Sequence, residues 1–335
     1  MAGRSPIKPI ARNALVLGIV ASLMALATAS AQPPGAHDHG SHGAKSEGGY
    51  GGGIVVSTKA RAQLDAARAE LLSKYGTPEK ATAAGWNRPN SSTPTMGEHW
   101  GNPALHADPA MDPLKPEVLM FAPIAGELKL VGASWIKRQP KEAGVPKLFD
   151  GMDNMWHRHD ATDPLNRAIA ASAEFEGEPM RRNADGIVMN HLWFIDAQDG
   201  EFTGHNHWMP FMDAGLPVPP PSIKGEVLGQ AAVAIGEVNG SAFIVGRGYN
   251  PLPDAAKKQV DALRADIKAL FPEYRAAHAR NDAPAMVSIL GDMGAIWTDI
   301  RAIHTRELRP QMANLLDVAY GNMIAGHDHG PGGHH

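Results

Sequence analysis

The strongest constraint on the fold comes from two short stretches whose patterns mirror one another. Residues 152–159 have the pattern M-x-x-M-W-H-x-H, and residues 205–212 have the reversed pattern H-x-H-W-M-x-x-M. Strands that pair antiparallel run in opposite directions, so reversed patterns bring like residues face to face. The pattern therefore predicts that the two stretches are neighbouring strands. The alternative is that 152–159 forms a loop, because Gly151 and Asp160 flank it.

This pairing would place potential metal ligands on one face of the sheet. Opposed side chains have β-carbons about 4.5–5.5 Å apart, which is close enough to share a metal ion. Imidazole nitrogen together with thioether sulfur favours copper over other metals. Three pairs of like residues would face each other: His157 and His207, His159 and His205, and Met155 and Met209.

A predicted hairpin adds a further histidine to this face. Residues 187–195 and 201–208 have the composition of strands and flank a five-residue loop that contains glycine. In the register that closes this loop, His191 lies opposite His205, and His207 shares their face. Three imidazoles so placed would bind Cu(II) or Zn(II). A shift of one residue would separate them.

The remaining pattern predicts an α+β fold with a central antiparallel β-sheet or barrel-like domain. Residues 96–250 are mainly strand-like, and N-terminal helices beginning near Thr58 and Pro78 precede them. After Pro251, apolar residues at helical spacing predict a C-terminal helical hairpin or bundle. Further predicted elements are strands at 117–122 and 127–135, a helix over 163–173, and a hairpin of 231–237 and 242–245.

The two ends of the chain differ in composition from the part between them. Residues 1–31 combine a basic start, an apolar run and a small-residue cleavage signal, which predicts a secretory signal peptide. Residues 32–53 form a predicted disordered linker and 326–335 a tail. Seven of the 16 histidines lie in these two segments, which predicts weak capture of transition metals. Between them we expect a mainly β domain with preceding helices over 54–250 and a helical region over 251–325.

Composition excludes several kinds of site. The chain has no cysteine, so thiolate zinc sites, iron–sulfur clusters and cysteine nucleophiles are excluded. The net charge of −4 falls by three, to −7, when the signal peptide with its three basic residues is removed. With no basic patch, this charge predicts no nucleic-acid partner. No stretch after the signal peptide is long and apolar enough to predict a membrane span.

Part of the chain resembles a known group of proteins. Residues 96–105 read M-G-E-H-W-G-N-P-A-L, residues 116–119 read P-E-V-L, and the tripeptide H-L-W at 191–193 precedes G-E-F at 200–202. These motifs resemble an uncharacterised family of secreted bacterial proteins with M-G-x-H-x-x-N-P-A-L, P-E-x-L and H-x-W…G-x-F signatures. The resemblance implies a fold unit and export, with no assigned activity. It also favours His99 as a candidate ligand, beside the alternative that His99 is a buried structural residue.

Three functions fit these observations. In the first, the chain is a periplasmic or secreted protein that binds a transition metal, with copper favoured and zinc the alternative. In the second, the same histidines serve a metal-dependent, oxidoreductase-like enzyme with an open coordination position. In the third, they line a site for a non-metal ligand or a protein partner that the sequence does not identify. The candidate metal ligands are His191, His205, His207, His157, His159, Met155, Met209 and His99.

Overall fold

The computed structural model describes residues 56–89, 92–159, 186–239 and 252–325, together with Pro164 and Arg167. The predicted α+β class is confirmed. The helices of the described residues are α1 (Thr58–Tyr75), α2 (Pro78–Ala83), α3 (Pro103–Ala107), α4 (Met209–Asp213), α5 (Glu226–Val238), α6 (Asp254–Ala269), α7 (Phe271–Ala279), α8 (Ala283–Glu307) and α9 (Pro310–Ala325). The strands are β1 (Glu98–Gly101), β2 (Val118–Ile124), β3 (Glu127–Ser134), β4 (Ile136–Arg138), β5 (His157–His159), β6 (Ile187–Met189) and β7 (Leu192–Trp193).

The N-terminal helices begin where local capping signals place them. The Ser57 hydroxyl accepts a hydrogen bond from the Ala60 amide at the start of α1, and Thr77 caps α2 in the same way. Leu64 and Leu71 recur at helical spacing and are buried against one face of the sheet. The two predicted helices are confirmed, although the N-cap of α1 is Ser57 rather than Thr58.

The larger sheet has the antiparallel strand order β1-β2-β3-β7. Its central hairpin turns at Ala125 and Gly126, whose φ angles are 53° and 82°. Both values are positive, as a two-residue hairpin loop requires, and glycine adopts such a conformation without steric cost. The predicted strands at 117–122 and 127–135 are confirmed as β2 and β3.

The second sheet has the antiparallel strand order β4-β6-β5. The chain passes between the two sheets twice, once at Trp135 and once at Asn190. These two residues are hydrogen-bonded to each other. The Asn190 amide donates to the Trp135 carbonyl oxygen at 3.2 Å, and the Trp135 amide donates to Oδ1 of Asn190 at 3.3 Å. Asn190 therefore fixes the position at which the chain crosses from one sheet to the other. The described strands form two open sheets and no barrel.

The predicted pairing of 152–159 with 205–212 is wrong. β5 pairs with β6, so that His157 faces Met189 and His159 faces Ile187. The second stretch turns and then enters α4 at Met209, with Pro210 in its first turn. Proline has a fixed φ suited to a helix start and no amide proton for a strand ladder, which explains why α4 forms instead of a strand.

The predicted hairpin of 187–195 and 201–208 is also wrong. Its first predicted strand is divided at Asn190 into β6 and β7, which belong to different sheets. The Trp193 amide does donate to the Glu201 carbonyl oxygen, at 2.7 Å. After that contact, side-chain interactions hold this segment in place of a ladder of backbone hydrogen bonds. Arg61 and Arg68 of α1 both bind the Glu201 carboxylate, which draws this segment towards α1. These charge-assisted bonds hold the Glu201 side chain against α1.

Residues 231–237, predicted as a strand, lie in α5. The whole run from Ala231 to Ile235 is 0% exposed, so this helix is surrounded by other elements of the helical layer. A continuous apolar run of this length can be either a buried strand or part of a buried helix, and the spacing of its residues does not distinguish the two. The partner strand 242–245 and, apart from Pro164 and Arg167, the helix over 163–173 lie outside the described residues.

The C-terminal helices are confirmed. α5 to α9 share one apolar core, and Pro310 begins α9, where it is tolerated because the first turn needs no amide donor. Among the described helices, none combines the length and the apolar character needed to cross a bilayer.

Candidate metal centre

Four histidines meet where the two sheets join. His99 lies on β1, His157 and His159 lie on β5, and His191 lies between β6 and β7. Their rings form a continuous run. The ring centroids are 5.1 Å apart for His157 and His159, 5.4 Å for His157 and His191, and 5.7 Å for His99 and His191. We call these four residues the histidine cluster.

Strand register explains why the second sheet contributes to the cluster. His157 and His159 are two residues apart on β5, so their side chains share a face. Met189 of β6 is directly opposite His157. His191 follows Met189 by two residues, after the chain has crossed between the sheets at Asn190. The crossing therefore carries His191 from the end of β6 to a position within ring contact of His157.

The first sheet contributes through a concave face. β1 and β7 are its two edge strands, and strands three places apart in a flat sheet are separated by about 14 Å. His99 projects from β1 and His191 immediately precedes β7, yet their ring centroids are 5.7 Å apart. The two side chains therefore lean towards each other over the middle strands.

The floor beneath these two rings is formed by Met120 and Gly132. Met120 of β2 is directly opposite His99, and Gly132 of β3 is directly opposite Met120. A Cβ on Gly132 would lie 2.3 Å from the Met120 methyl carbon and 2.7 Å from the Leu192 carbonyl oxygen. A larger residue at position 132 would collide with the end of the Met120 side chain. With glycine there, the Met120 side chain extends over β3, in the middle of the sheet.

The histidine cluster is almost closed to solvent. His191 is 1% exposed, His159 6% and His157 7%, whereas His99 is half-buried. The Trp193 ring covers His191 from the strand side, at 6.3 Å between centroids. Burial of this many polar rings in one place costs free energy that an apolar core of equal volume would not cost. The cluster is therefore a strong candidate for a functional site.

The spacing of the rings is close to what a shared metal ion requires. Two imidazoles bound to one tetrahedral ion at about 2 Å per nitrogen have ring centroids about 5 Å apart. The three ring contacts of the cluster are near this value. In the described part of the chain, however, no three His, Asp or Glu side chains are arranged so that they could hold a metal ion together. An ion bound to the rings as they stand would have two imidazole ligands, and its other ligands must be of another kind.

His207, a predicted ligand, has both ring nitrogens engaged elsewhere. The His207 backbone amide donates to Oε1 of Gln198 at 3.0 Å, which fixes the orientation of the Gln198 amide group. The Gln198 Nε2 then donates to Nδ1 of His207 at 3.1 Å, and Nε2 of His207 donates to the Met323 carbonyl oxygen at 2.6 Å. Burial lowers the pKa of His207, in keeping with this neutral form. His207 is a structural residue in this arrangement.

His205 lies in the loop before α4, where Thr95 and Thr203 hold it. The Thr95 hydroxyl is 2.7 Å from Nδ1 of His205, and the Thr203 hydroxyl donates to the His205 carbonyl oxygen at 3.0 Å. Thr95 precedes His99 by four residues, so this contact joins the His205 loop to the segment that leads into β1.

The two predicted methionine ligands lie apart from each other. Met155 is buried with Trp156 in the core between α1 and the first sheet. Met209 belongs to the core on the opposite face of that sheet, together with Met120 and Trp193. The structure therefore does not bring Met155 and Met209 together.

Two methionines beside the cluster were missed by the sequence analysis. Met189 is opposite His157, and Met120 is opposite His99. For Met189 a signal was present, because its spacing of two residues from His191 places both on one face of a strand. Met120 becomes a neighbour of His99 only through the pairing of β1 with β2, which leaves no local pattern in the sequence.

A carboxylate near the junction of the sheets titrates in an unusual pH range. Glu117 is 2% exposed, and its Oε2 accepts a hydrogen bond from the Ile136 amide at 2.9 Å. Burial raises the pKa of Glu117 to about 7, against the weaker opposing effect of that hydrogen bond. Glu117 therefore carries a proton over a pH range in which an exposed glutamate would be ionised.

No family model, no curated protein and no solved structure matches this chain. The resemblance to secreted bacterial proteins stays an expectation. The function must be inferred from the residues of the site.

Proposed function

We propose that this chain is an exported copper-binding protein whose folded part holds the ion at the histidine cluster. The His-rich segments at both ends would collect metal and raise its concentration near the folded site. The observation that carries the proposal is the run of four imidazole rings with centroid spacings of 5.1, 5.4 and 5.7 Å at the buried junction of two sheets.

The chemistry of the available ligands favours copper. The chain has no cysteine, so its soft donors are methionine sulfur atoms and its intermediate donors are imidazoles. Copper binds such mixed sets, whereas magnesium and calcium prefer oxygen ligands. Zinc shares the preference for imidazole and is the natural comparison ion in any test.

The burial of the cluster supports retention of the ion. A site with 1% exposure at His191 exchanges its ligands with water less readily than a surface histidine pair. The histidines of the segments at both ends, which the sequence predicts to capture metal weakly, would have a lower affinity than the folded site. The two kinds of site would therefore have different affinities for the same ion.

The decisive experiment separates the folded site from the tails. The seven histidines outside the described residues are replaced by asparagine in the full chain: His37, His39, His42, His327, His329, His334 and His335. Copper affinity of this tail-silenced chain is then measured by competition with a chromophoric chelator. The proposal expects one copper site with submicromolar affinity, and binding no tighter than micromolar would contradict it.

Matched alanine variants in the same background locate the site. His191→Ala should weaken copper binding by at least about 100-fold, because loss of a direct ligand costs more than loss of an outer-shell partner. His106→Ala is the control, since His106 is an exposed histidine on α3. Equal losses in the two variants would show that copper binds elsewhere.

A further inference from the structure

We propose that Met120 and Met189 supply thioether ligands to the histidine cluster and make it selective for Cu(I) over Cu(II) and zinc. This inference rests on the proposed copper-binding function. It names the donors that complete the site and the oxidation state of the ion that the site takes.

Met189 is positioned by strand pairing. It lies directly opposite His157 in the pairing of β5 with β6, and opposed residues have side chains on the same face with β-carbons about 4.5–5.5 Å apart. It also precedes His191 by two residues. The His157 and His191 rings, with centroids 5.4 Å apart, are thus the two imidazoles nearest to Met189 along the sheet.

Met120 is positioned by the floor of the first sheet. It is 0% exposed and directly opposite His99, and its methyl carbon occupies the space over Gly132. Met120 therefore shares a face of the sheet with His99, and its side chain ends beside Gly132 of β3. Met120 and Met189 are thus the cross-strand neighbours of His99 and His157, the two histidines whose rings contact His191.

The nitrogen and oxygen donors of the described residues do not by themselves complete a metal site at the cluster. No three His, Asp or Glu side chains of the described residues could hold a metal ion together, so a closed site of nitrogen and oxygen ligands is not formed there. A pair of imidazoles with a neighbouring thioether is a neutral, partly soft donor set. Thioether sulfur selects Cu(I) among the first-row ions.

Charge favours the same oxidation state. Histidine and methionine are neutral as ligands, so the bound ion keeps its full charge in a buried site. The cost of burying an ion without a charged partner rises steeply with its charge. A monovalent ion is therefore held at a smaller cost than a divalent one.

The test uses the full-length, tail-silenced chain with three ions: Cu(I) under anaerobic conditions, Cu(II) and Zn(II). Leucine replaces methionine with little change of volume, so the substitution is well tolerated at a buried position. The variants are Met120→Leu, Met189→Leu and the double substitution. The control is Met155→Leu, a methionine that is 1% exposed and packs in the core on the other side of the first sheet.

We expect the double variant to lose about 100-fold in Cu(I) affinity, as loss of ligands should cost at least as much as loss of outer-shell partners. Zinc and Cu(II) affinities should change by less than about threefold, and Met155→Leu should leave all three unchanged. If the double variant keeps its Cu(I) affinity while His191→Ala loses copper binding, this inference is overturned and the proposed copper site is retained. A parent chain that binds no copper overturns the proposed function itself.

X-ray absorption of the Cu(I)-loaded parent chain gives an answer that needs no variant. Sulfur scatters differently from nitrogen and lies farther from the ion, at about 2.3 Å rather than about 2.0 Å for comparable zinc ligands. A sulfur shell supports the inference. A spectrum fitted by nitrogen and oxygen alone overturns it.

Discussion

Nε2 of His207 lies 2.6 Å from the carbonyl oxygen of Met323 and donates a hydrogen bond to it. This bond joins the segment after β7 to the last turn of α9, so it connects the sheet region to the helical layer. The terminal carbonyls of a helix have no partner within the helix and need one from outside. His207 therefore has a role in holding the fold that differs from the role of the histidine cluster.

The first prediction follows from that difference. His207→Ala should lower the free energy of unfolding by about 1–3 kcal/mol, because the Met323 carbonyl and the Gln198 amide lose their partner in a buried place. Copper affinity of the folded protein should stay within about twofold of the parent value, since His207 is not a ligand. Urea unfolding and chelator competition measure the two quantities. A large loss of copper affinity without a loss of stability would show that His207 binds the ion after all.

The second prediction concerns Gly132. Gly132→Ala places a methyl group 2.3 Å from the Met120 methyl carbon and 2.7 Å from a backbone oxygen, so the floor of the site must shift. We expect a loss of about 1–3 kcal/mol in stability, as is usual for overpacking, together with weaker copper binding.

Gly291→Ala is the matched control for this change. A Cβ at Gly291, in the middle of α8, would meet no atom within 4 Å. Alanine there should stabilise the protein by about 0.5–1 kcal/mol, because glycine is unfavourable inside a helix. If both glycine variants behaved alike in thermal unfolding, the close packing of Met120 on Gly132 would be refuted.

The third prediction is a pH dependence of stability caused by Glu117. Its pKa is raised to about 7 in the folded protein, from an ordinary value of 4.5. Between these two values the unfolded chain releases a proton that the folded chain keeps, so stability falls as pH rises through this window. The loss is of the order of 3 kcal/mol at about 1.4 kcal/mol per pH unit. Glu117→Gln should remove this falling contribution, so the stability of the variant minus that of the parent should rise between pH 5 and pH 7. Urea unfolding measures this difference, and a difference that does not change with pH would contradict the account.

The fourth prediction has the opposite sign and concerns His304 of α8. Burial lowers the pKa of His304 to about 4, from an ordinary value of 6.5, and Arg301 and Arg264 lower it further against the attraction of Glu237. The side chain is 6% exposed, and Arg301 donates to its Nδ1 at 3.2 Å. Its contribution to stability is present above pH 6.5 and is lost as pH falls towards 4.

His304→Asn should remove the contribution that is lost in acid, because asparagine offers an oxygen acceptor to Arg301 and does not titrate. The stability of the variant minus that of the parent should therefore increase as pH falls from 6.5 towards 4. The windows of His304 and Glu117 overlap and have opposite slopes, so they offset each other in the parent chain. The stability of each single variant should therefore depend more strongly on pH than the stability of the double variant that carries both Glu117→Gln and His304→Asn. Profiles that superimpose for all four chains would exclude both assignments.

The accuracy of prediction from sequence followed the range of the interactions involved. The start of α1 depends on the local cap at Ser57, and it was predicted to within a residue. The ends of the two strands that flank the turn at Ala125-Gly126 were predicted to within two residues. α5 was misread as a strand because the continuous apolar run at 231–235 fits a buried strand as well as a buried helix. The pairing of 152–159 failed for a different reason, since Pro210 starts a helix where a strand was expected.

The candidate site was predicted in part. His99, His157, His159 and His191 were all among the candidate ligands, and the structure brings these four together. Their partners were not predictable, because Met120 reaches His99 through strand pairing over a separation of about twenty residues. His205 and His207 entered the predicted set through the mirrored pairing of 152–159 with 205–212 and through the hairpin of 187–195 with 201–208, neither of which forms as predicted.

The most direct test of the copper site is an anomalous difference map. Crystals of the copper-loaded, tail-silenced chain would be measured above and below the copper absorption edge. The account predicts one strong peak that disappears below the edge, within ligand distance of His191 and at least one of His99 and His157. A copper peak away from these residues, or none at full copper loading, would contradict it.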